Sequence, residues 1–174
     1  EEIAVVLGFQ ADRVERELLS HEFIHAKVHS VRVEDWEMSS MGDSVRMGIR
    51  ALLSDPEESV FVVMSDLVLF DNPYPQLEEA LEAYEAAVLV GLEEPHGSVS
   101  GAQSRVRCEQ GAICAFGKEI EDPHGYEVGV YGLRPSVWHA LLKEDEEVTG
   151  SFGQILVSWI HGRKMGAVEI TGPW

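Results

Sequence analysis

The chain reads as an α/β protein with a mostly parallel, mixed sheet, helices on its flanks and a β-hairpin addition. Three observations predict this. Up to about residue 91, short β-branched apolar runs alternate with stretches of helical apolar spacing, the pattern of βαβ units. Past that point the alternation changes to a hairpin-like stretch, a further strand and a closing strand. No repeat, linker or low-complexity stretch interrupts the 174 residues, so one domain over 1–174 is expected.

Each element has its own warrant. Glu2 to Gly8 (EIAVVLG) is a short apolar run ending in glycine and reads as a buried strand. Ala11 to Leu19 follows as a helix, with Val14, Leu18 and Leu19 at helical spacing and Asp12 near the start, where a carboxylate suits the helix dipole. His25 to Val33 alternates as a second strand. Ser44 to Leu53 carries Val45, Ile49, Leu52 and Leu53 on one helical face, and Asp55-Pro56 ends it. Val60 to Met64 (VFVVM) is the strongest buried-strand signal and runs into Ser65-Asp66. Pro75 to Ala86 reads as an acidic amphipathic helix and Ala87 to Gly91 as another buried strand. Val99 to Phe116 alternates about Glu109-Gln110-Gly111, which predicts a hairpin. Tyr126 to Leu133 is a strand, Pro135 to Leu142 a helix opened by proline, Phe152 to His161 a helix, and Ala167 to Ile170 a final strand.

Composition narrows the function classes. An apolar content of 45% and a charged content of 25% are those of an ordinary globular protein. No apolar run approaches the roughly 20 residues that span a bilayer, and the two opening glutamates do not suit a signal peptide. A cytoplasmic location is expected. The two cysteines, Cys108 and Cys114, are too few for a disulfide framework and read as strand residues beside a turn. Thirty-one acidic against thirteen basic residues give a net charge of −18, which repels nucleic acid and anionic membranes as main partners. The same field repels phosphate ligands, so a nucleotide site here requires a divalent cation and local basic groups.

Few residues stand where chemistry gathers. Asp66 follows a buried apolar strand, beyond whose C-terminal end the ligands of open α/β sheets bind. There it either holds Mg²⁺ against nucleotide phosphates or caps a turn. Asp43 and Ser44 open a helix after Met41-Gly42; they read as N-cap residues, or as part of a helix N-terminus that offers N–H groups to an anion or a base edge. Lys118, after Gly117, is one of few cations and either touches a substrate phosphate or is solvated. Glu127 and Gly129 lie in a strand, the glycine marking a bulge or a close approach. Asp71 reads as a turn residue. His21 and His25 have the spacing of a metal pair but not its glutamate, and no GxSxG or Walker lysine loop occurs.

Together these segments resemble the nucleoside-diphosphate-sugar pyrophosphorylase (nucleotidyltransferase) superfamily over nearly the whole chain. EEIAVVLGFQADRVERELL is similar to the family's second βα unit, and VFVVMSDLVLFDN to its strand–Gly–Asp segment, with Ser65 where glycine is usual. GAICAFGKEI, YEVGVYGLRPSVWHALLKE and GRKMGAVEITGPW resemble its acceptor-binding half in order and spacing. The Gly-Lys pair and an Asp-x-Gly-Val pattern, here with Glu127 for the aspartate, look closest to inositol-1-phosphate and phosphocholine cytidylyltransferases. MGDSVRMGI resembles the Asp-Ser-Val segment of related cytidylyltransferases.

The resemblance implies a Rossmann-like, GT-A-like fold. It also implies transfer of a nucleotide from a nucleoside triphosphate, CTP favoured, to a phosphorylated polyol, sugar or choline, with release of pyrophosphate. Asp66 would ligand Mg²⁺ and be catalytic, Asp43 and Ser44 would lie near the nucleotide, and Lys118, Glu127 and Gly129 near the acceptor. The family's glycine-rich first loop and its second metal-binding aspartate have no counterpart in these 174 residues. The resemblance therefore leaves open a trimmed domain, a half whose missing parts another, complementing chain supplies, and a non-catalytic regulatory or assembly subunit of the same fold; as protein partners it allows a homo-oligomer or that complementing chain.

Overall fold

The computed structural model describes residues 2–20, 26–52, 56–93, 104–143, 152, 156, 162 and 164–172. The chain gathers into two compact units, Glu1–Glu57 with Ala140–Phe152 and Glu58–His139 with Gly153–Trp174.

The first unit holds β1 (Glu2–Leu7), α1 (Ala11–Ser20), β2 (Lys27–Arg32) and α2 (Met41–Ala51). β1 and β2 pair in parallel from Glu2↔Lys27 to Leu7↔Arg32, with α1 as the connection between them. Arg32, at the end of β2, ties this unit together: its guanidinium reaches Asp12 Oδ1 at 2.6 Å and also pairs with Glu15, both on α1. Asp12 therefore serves the strand as well as the helix dipole. The expectation of a buried β1 is corrected. Leu7 alone in that strand is buried and Ile3 is 43% exposed. Among the described strands β1 has a single neighbour, and no residue of α1 is buried. The α2 boundary is also corrected, since the helix begins three residues before Ser44 and is capped by Ser40. His21, His25, Leu53 and Asp55 lie outside the described residues.

The second unit contains β3 (Val60–Val63), α3 (Tyr74–Ala83), β4 (Ala86–Gly91), β5 (Arg105–Glu109), β6 (Ala112–Gly117), β7 (Gly125–Leu133), the start of α4 (Pro135–Lys143) and β8 (Met165–Ile170). These strands form a six-stranded sheet in the order β3-β7-β4-β8-β6-β5, with β5 also touching β7. β4 is buried at every position. Leu77 and Leu81 of α3 pack over Ala87 and Leu89 of β4 and Val128 and Val130 of β7, which makes this face the core. The β5–β6 connection is Gln110-Gly111, both with positive φ (53° and 79°), the conformation that tight antiparallel turns favour. Cys108 and Cys114 stand in the two strands it joins as free thiols, Cys108 pushed up to about 11 chiefly by burial. Residues 99–103 of the expected hairpin lie outside the described set. So does most of the expected 152–161 helix, of which Phe152 and Leu156 are helical and buried.

The result is a mixed α/β fold, but the expectation of a mostly parallel sheet is corrected for this unit. β4 and β8 pair in parallel; the other described pairings of the sheet are antiparallel. β3 and β4 do run in the same direction, as strands joined through a helix should. They are not neighbours, because β7, which enters from much later in the chain, runs antiparallel between them.

β7 is irregular where it matters most. Two steps along β4, from Val88 to Val90, face four along β7, from Tyr131 to Glu127. The two extra residues form a bulge about Gly129, whose φ is +90°. On the other side β7 stays in register with β3 through Val63↔Val130, and the Met64 N–H then donates to the Gly129 carbonyl at 2.9 Å. A Cβ at Gly129 would lie 2.6 Å from Met64 Cγ and 3.3 Å from Leu67 Cδ1. Glycine thus lets the turn that carries Ser65 and Asp66 settle against the bulge.

Leu77 is completely buried in the α3 face of this core. Leu77→Ala is expected to lower unfolding stability by about 3 kcal/mol, the usual cost of a leucine-sized core deletion. Urea denaturation checks this, with the midpoint falling and the slope unchanged.

Candidate functional site

In the second unit the structure brings Asp66, Glu127 and Gly129 together. Asp66 is exposed just past the C-terminal end of β3, the end at which open α/β sheets bind ligands. Glu127 is half-buried in β7, opposite Val90 at the C-terminal end of β4. Its carboxyl is raised above the usual carboxylate range, mainly by burial. The Tyr131 hydroxyl and the Gly129 N–H oppose that shift by bonding the carboxylate, and the charge of Asp66 adds to it. Met64 and Leu67, on either side of the Ser65-Asp66 turn, lie against Gly129, two residues past Glu127, so that the two carboxylates flank one bulge.

Tyr131 was not singled out from the sequence. Its hydroxyl donates to Glu127 Oε1 at 2.7 Å, and the residue is 1% exposed. In a regular strand, residues four apart are separated by about 13 Å. The bulge shortens that span and lets the phenol reach the carboxylate. Burial, then the charge of Glu127 and the bond to it, hold the phenol far above its usual range, so it stays protonated and donating. The signal available in the sequence was the pattern Glu-x-Gly-x-Tyr, in which glycine permits the bulge and the strand spacing keeps both side chains on one face.

Lys118 is exposed in the turn after β6 and makes no ion pair with a described residue. Gly117, just before it, pairs with Arg105, which in turn pairs with Tyr126. Lys118 therefore follows a strand end that is linked through β5 to the entry of β7, one residue before Glu127. The structure connects it to that edge of the sheet without bonding it to either carboxylate.

Mg²⁺ takes oxygen ligands in octahedral geometry and is commonly held by one or two carboxylates, with phosphate and water completing the shell. Among the described residues no group of three or more His, Cys, Asp or Glu gathers as a ready-made metal cage. The exposed carboxylate of Asp66, with Glu127 nearby, fits the smaller demand of an ion that arrives with phosphates. Asp66 is the residue that would hold it.

In the first unit, Asp43 and Ser44 occupy the first turn of α2. Asp43 is the third helical residue and completes a capping box. Its N–H donates to Ser40 Oγ at 3.2 Å, while the Ser40 N–H and hydroxyl donate to Asp43 Oδ2 at 2.8 and 2.7 Å. Arg46, 4% exposed, donates through Nη2 to Asp43 Oδ1 at 2.7 Å, and its Nη1 has no hydrogen-bond partner. Both oxygens of Asp43 are thus engaged within the helix. What the turn can offer a ligand is the Ser44 hydroxyl, bonded only loosely to the Ser40 carbonyl at 3.5 Å, and the first backbone N–H groups. The bonds from Ser40, then the pairing with Arg46, hold the Asp43 carboxyl below its ordinary 3.8 despite partial burial.

Ser40→Ala should cost about 1 kcal/mol of stability, as loss of an N-cap generally does. Because the Asp43 pKa is depressed in the folded state, its contribution is complete above the ordinary 3.8 and is lost as acid titrates through the lower folded value. Asp43→Asn should therefore be less stable than the parent at neutral pH and approach it on acidification. Thermal melts between neutral and strongly acidic pH check the convergence.

No protein-family model matches the chain, and no curated protein matches it either. Solved structures do. The inositol-1-phosphate CTP transferase from T. maritima superposes with a TM-score of 0.72 at 16% identity, over 99% of this chain and 67% of that one. A protein from Bacillus anthracis assigned as a glucose-1-phosphate thymidylyltransferase, solved with a sucrose, gives 0.73 at 15%, over 98% and 68%. An apo UDP-glucose pyrophosphorylase gives 0.66 at 16%, over 99% and 74%. The chain thus has the fold of the nucleotidyltransferases and spans about two thirds to three quarters of the length of these examples.

Proposed function

We propose that this chain is a nucleotidyltransferase domain that joins a nucleoside monophosphate, CMP favoured, to a small phosphorylated acceptor. The observation that supports this reading is the pair Asp66 and Glu127 at the C-terminal edge of the second unit's sheet, drawn together by the bulge at Gly129. Likeness in fold to enzymes that act on CTP and inositol 1-phosphate, or on glucose 1-phosphate, gives the reading its reaction class.

A phosphate oxygen of the acceptor attacks the α-phosphorus of the triphosphate in line. The new bond joins that oxygen to the α-phosphorus, the bond to the bridging oxygen breaks, and pyrophosphate leaves with the bridge. No covalent enzyme intermediate is required, so the residues act by orientation and charge. When bound, Mg²⁺ supplies neutralisation of the phosphate oxygens. Asp66 holds that charge at the strand end, Lys118 offers a cation to the acceptor phosphate, and Glu127 accepts hydrogen bonds from the acceptor's body. In a chain with a net charge of −18, anionic substrates depend on such local cations.

A non-catalytic subunit of the same fold is the second reading, favoured by Ser65 in the place before Asp66 where the resembling family has glycine. Pyrophosphate release by the full-length natural protein, assayed with each nucleoside triphosphate and with polyol or sugar phosphates, separates the two. Turnover with CTP is the expected result. Asp66→Asn should then lower turnover at least about a hundredfold while leaving the melting temperature close to the parent's. Parent-like turnover in that variant removes Asp66 from the mechanism, and no turnover with any pair of substrates favours the regulatory subunit.

A further inference from the structure

We infer that Tyr131 is the positioning residue of the acceptor subsite: through the β7 bulge its buried hydroxyl fixes Glu127, which then binds a hydroxyl group of a polyol or sugar phosphate. The inference rests on the reaction proposed above and adds to it a residue and a narrower acceptor class.

The geometry carries the first part. A glutamate reaching into a site from a strand has three side-chain torsions to restrain before it can discriminate between ligands. Here one oxygen, Oε1, is held at 2.7 Å by a donor that is itself 1% exposed. The Gly129 N–H bonds the same carboxylate from the bulge. The backbone conformation that makes the bulge also makes the Tyr131 contact, since four residues of β7 span two of β4 over this stretch. Tyr131 thus acts on the ligand only through Glu127, and its phenol stays a donor across the working pH range because burial and the neighbouring carboxylate oppose its ionisation.

The acceptor class follows from what the pair leaves available. With Oε1 occupied, the carboxylate still has unused lone pairs, each suited to a hydroxyl donor. A quaternary ammonium is recognised differently, through the faces of aromatic rings. The ring of Tyr131 is buried and presents no face for that purpose. Among the acceptors the resemblance allows, this favours a hydroxylated phosphate over phosphocholine.

The test uses the full-length natural protein and Tyr131→Phe, which removes the hydroxyl and keeps the ring. The KM for inositol 1-phosphate or a hexose 1-phosphate should rise about tenfold, the loss expected for one hydrogen bond to a charged group. The KM for the nucleotide and kcat should stay within about twofold if only the acceptor contact is weakened. The Tyr131 bond lowers the Glu127 pKa, so its removal should move the acid limb of kcat/KM for the acceptor to higher pH. In a Glu127→Ala background, where no side-chain acceptor is left for the phenol, the same change should have no further effect on acceptor KM. Phosphocholine should be a poorer acceptor than either hydroxylated phosphate. A lowered melting temperature with unchanged acceptor KM and an unmoved acid limb overturns the inference and leaves Tyr131 as core packing. Preference for phosphocholine overturns the acceptor class. If the parent neither turns over nor binds any acceptor by calorimetry, the proposed reaction fails and the inference fails with it. If the parent is active and Tyr131→Phe is indistinguishable from it, the inference alone fails.

Discussion

The second unit depends on one constraint, the insertion of β7 between β3 and β4. A strand in that place must satisfy two partners whose demands differ. Toward β3 it stays in register through Val130, while toward β4 it accommodates two surplus residues between Tyr131 and Glu127. The mismatch is absorbed at Gly129, where a positive φ and a missing Cβ let Met64 and Leu67 press against the strand. The position of Asp66, the reach of Tyr131 to Glu127 and the influence of one carboxylate on the other all follow from that local irregularity.

The energetics explain why such a feature persists. A bulge forfeits regular ladder bonds, and a half-buried carboxylate carries a desolvation cost. The first loss is offset by the wholly buried β4 and by the leucines of α3 packed over Ala87 and Leu89 of that strand. The second is offset by two donors on Glu127, a phenol and a backbone N–H. The polar pair is therefore a bonded group, as buried polar atoms generally must be. The first unit solves the equivalent problem by different means. Its buried charge, Arg46, is balanced by a carboxylate that also caps the helix, so one ion pair serves the helix end and the interior together.

Some of the site was legible residue by residue. Asp66 stood out because an apolar run ended in a carboxylate, and Gly129 because a glycine inside a strand implies a bulge or a close approach. The cap at α2 was misplaced by a few residues because Ser39, Ser40, Asp43 and Ser44 are all competent caps, and only the hydrogen bonds choose Ser40. Tyr131 was not legible as a partner of Glu127. In a regular strand the two would be too far apart, and the shortening depends on the register of β7 against β4, a contact between segments some forty residues apart. Arg46 was hidden for a related reason, since an arginine on a helix is ordinarily solvated.

By itself the sequence determined the local elements: which runs are strands and which are helices, where the tight turn at Gln110-Gly111 falls, and that β3, α3 and β4 form a crossover with both strands in one direction. These follow from side-chain periodicity and turn chemistry, which act over a few residues. Only the tertiary structure decided neighbours. Among the described residues it placed β7 between β3 and β4, made most of the larger sheet's pairings antiparallel, left β1 half-exposed beside one strand and closed Tyr131 onto Glu127. Strand order and register are selected by long-range burial summed over whole faces, and no short window of residues contains that sum.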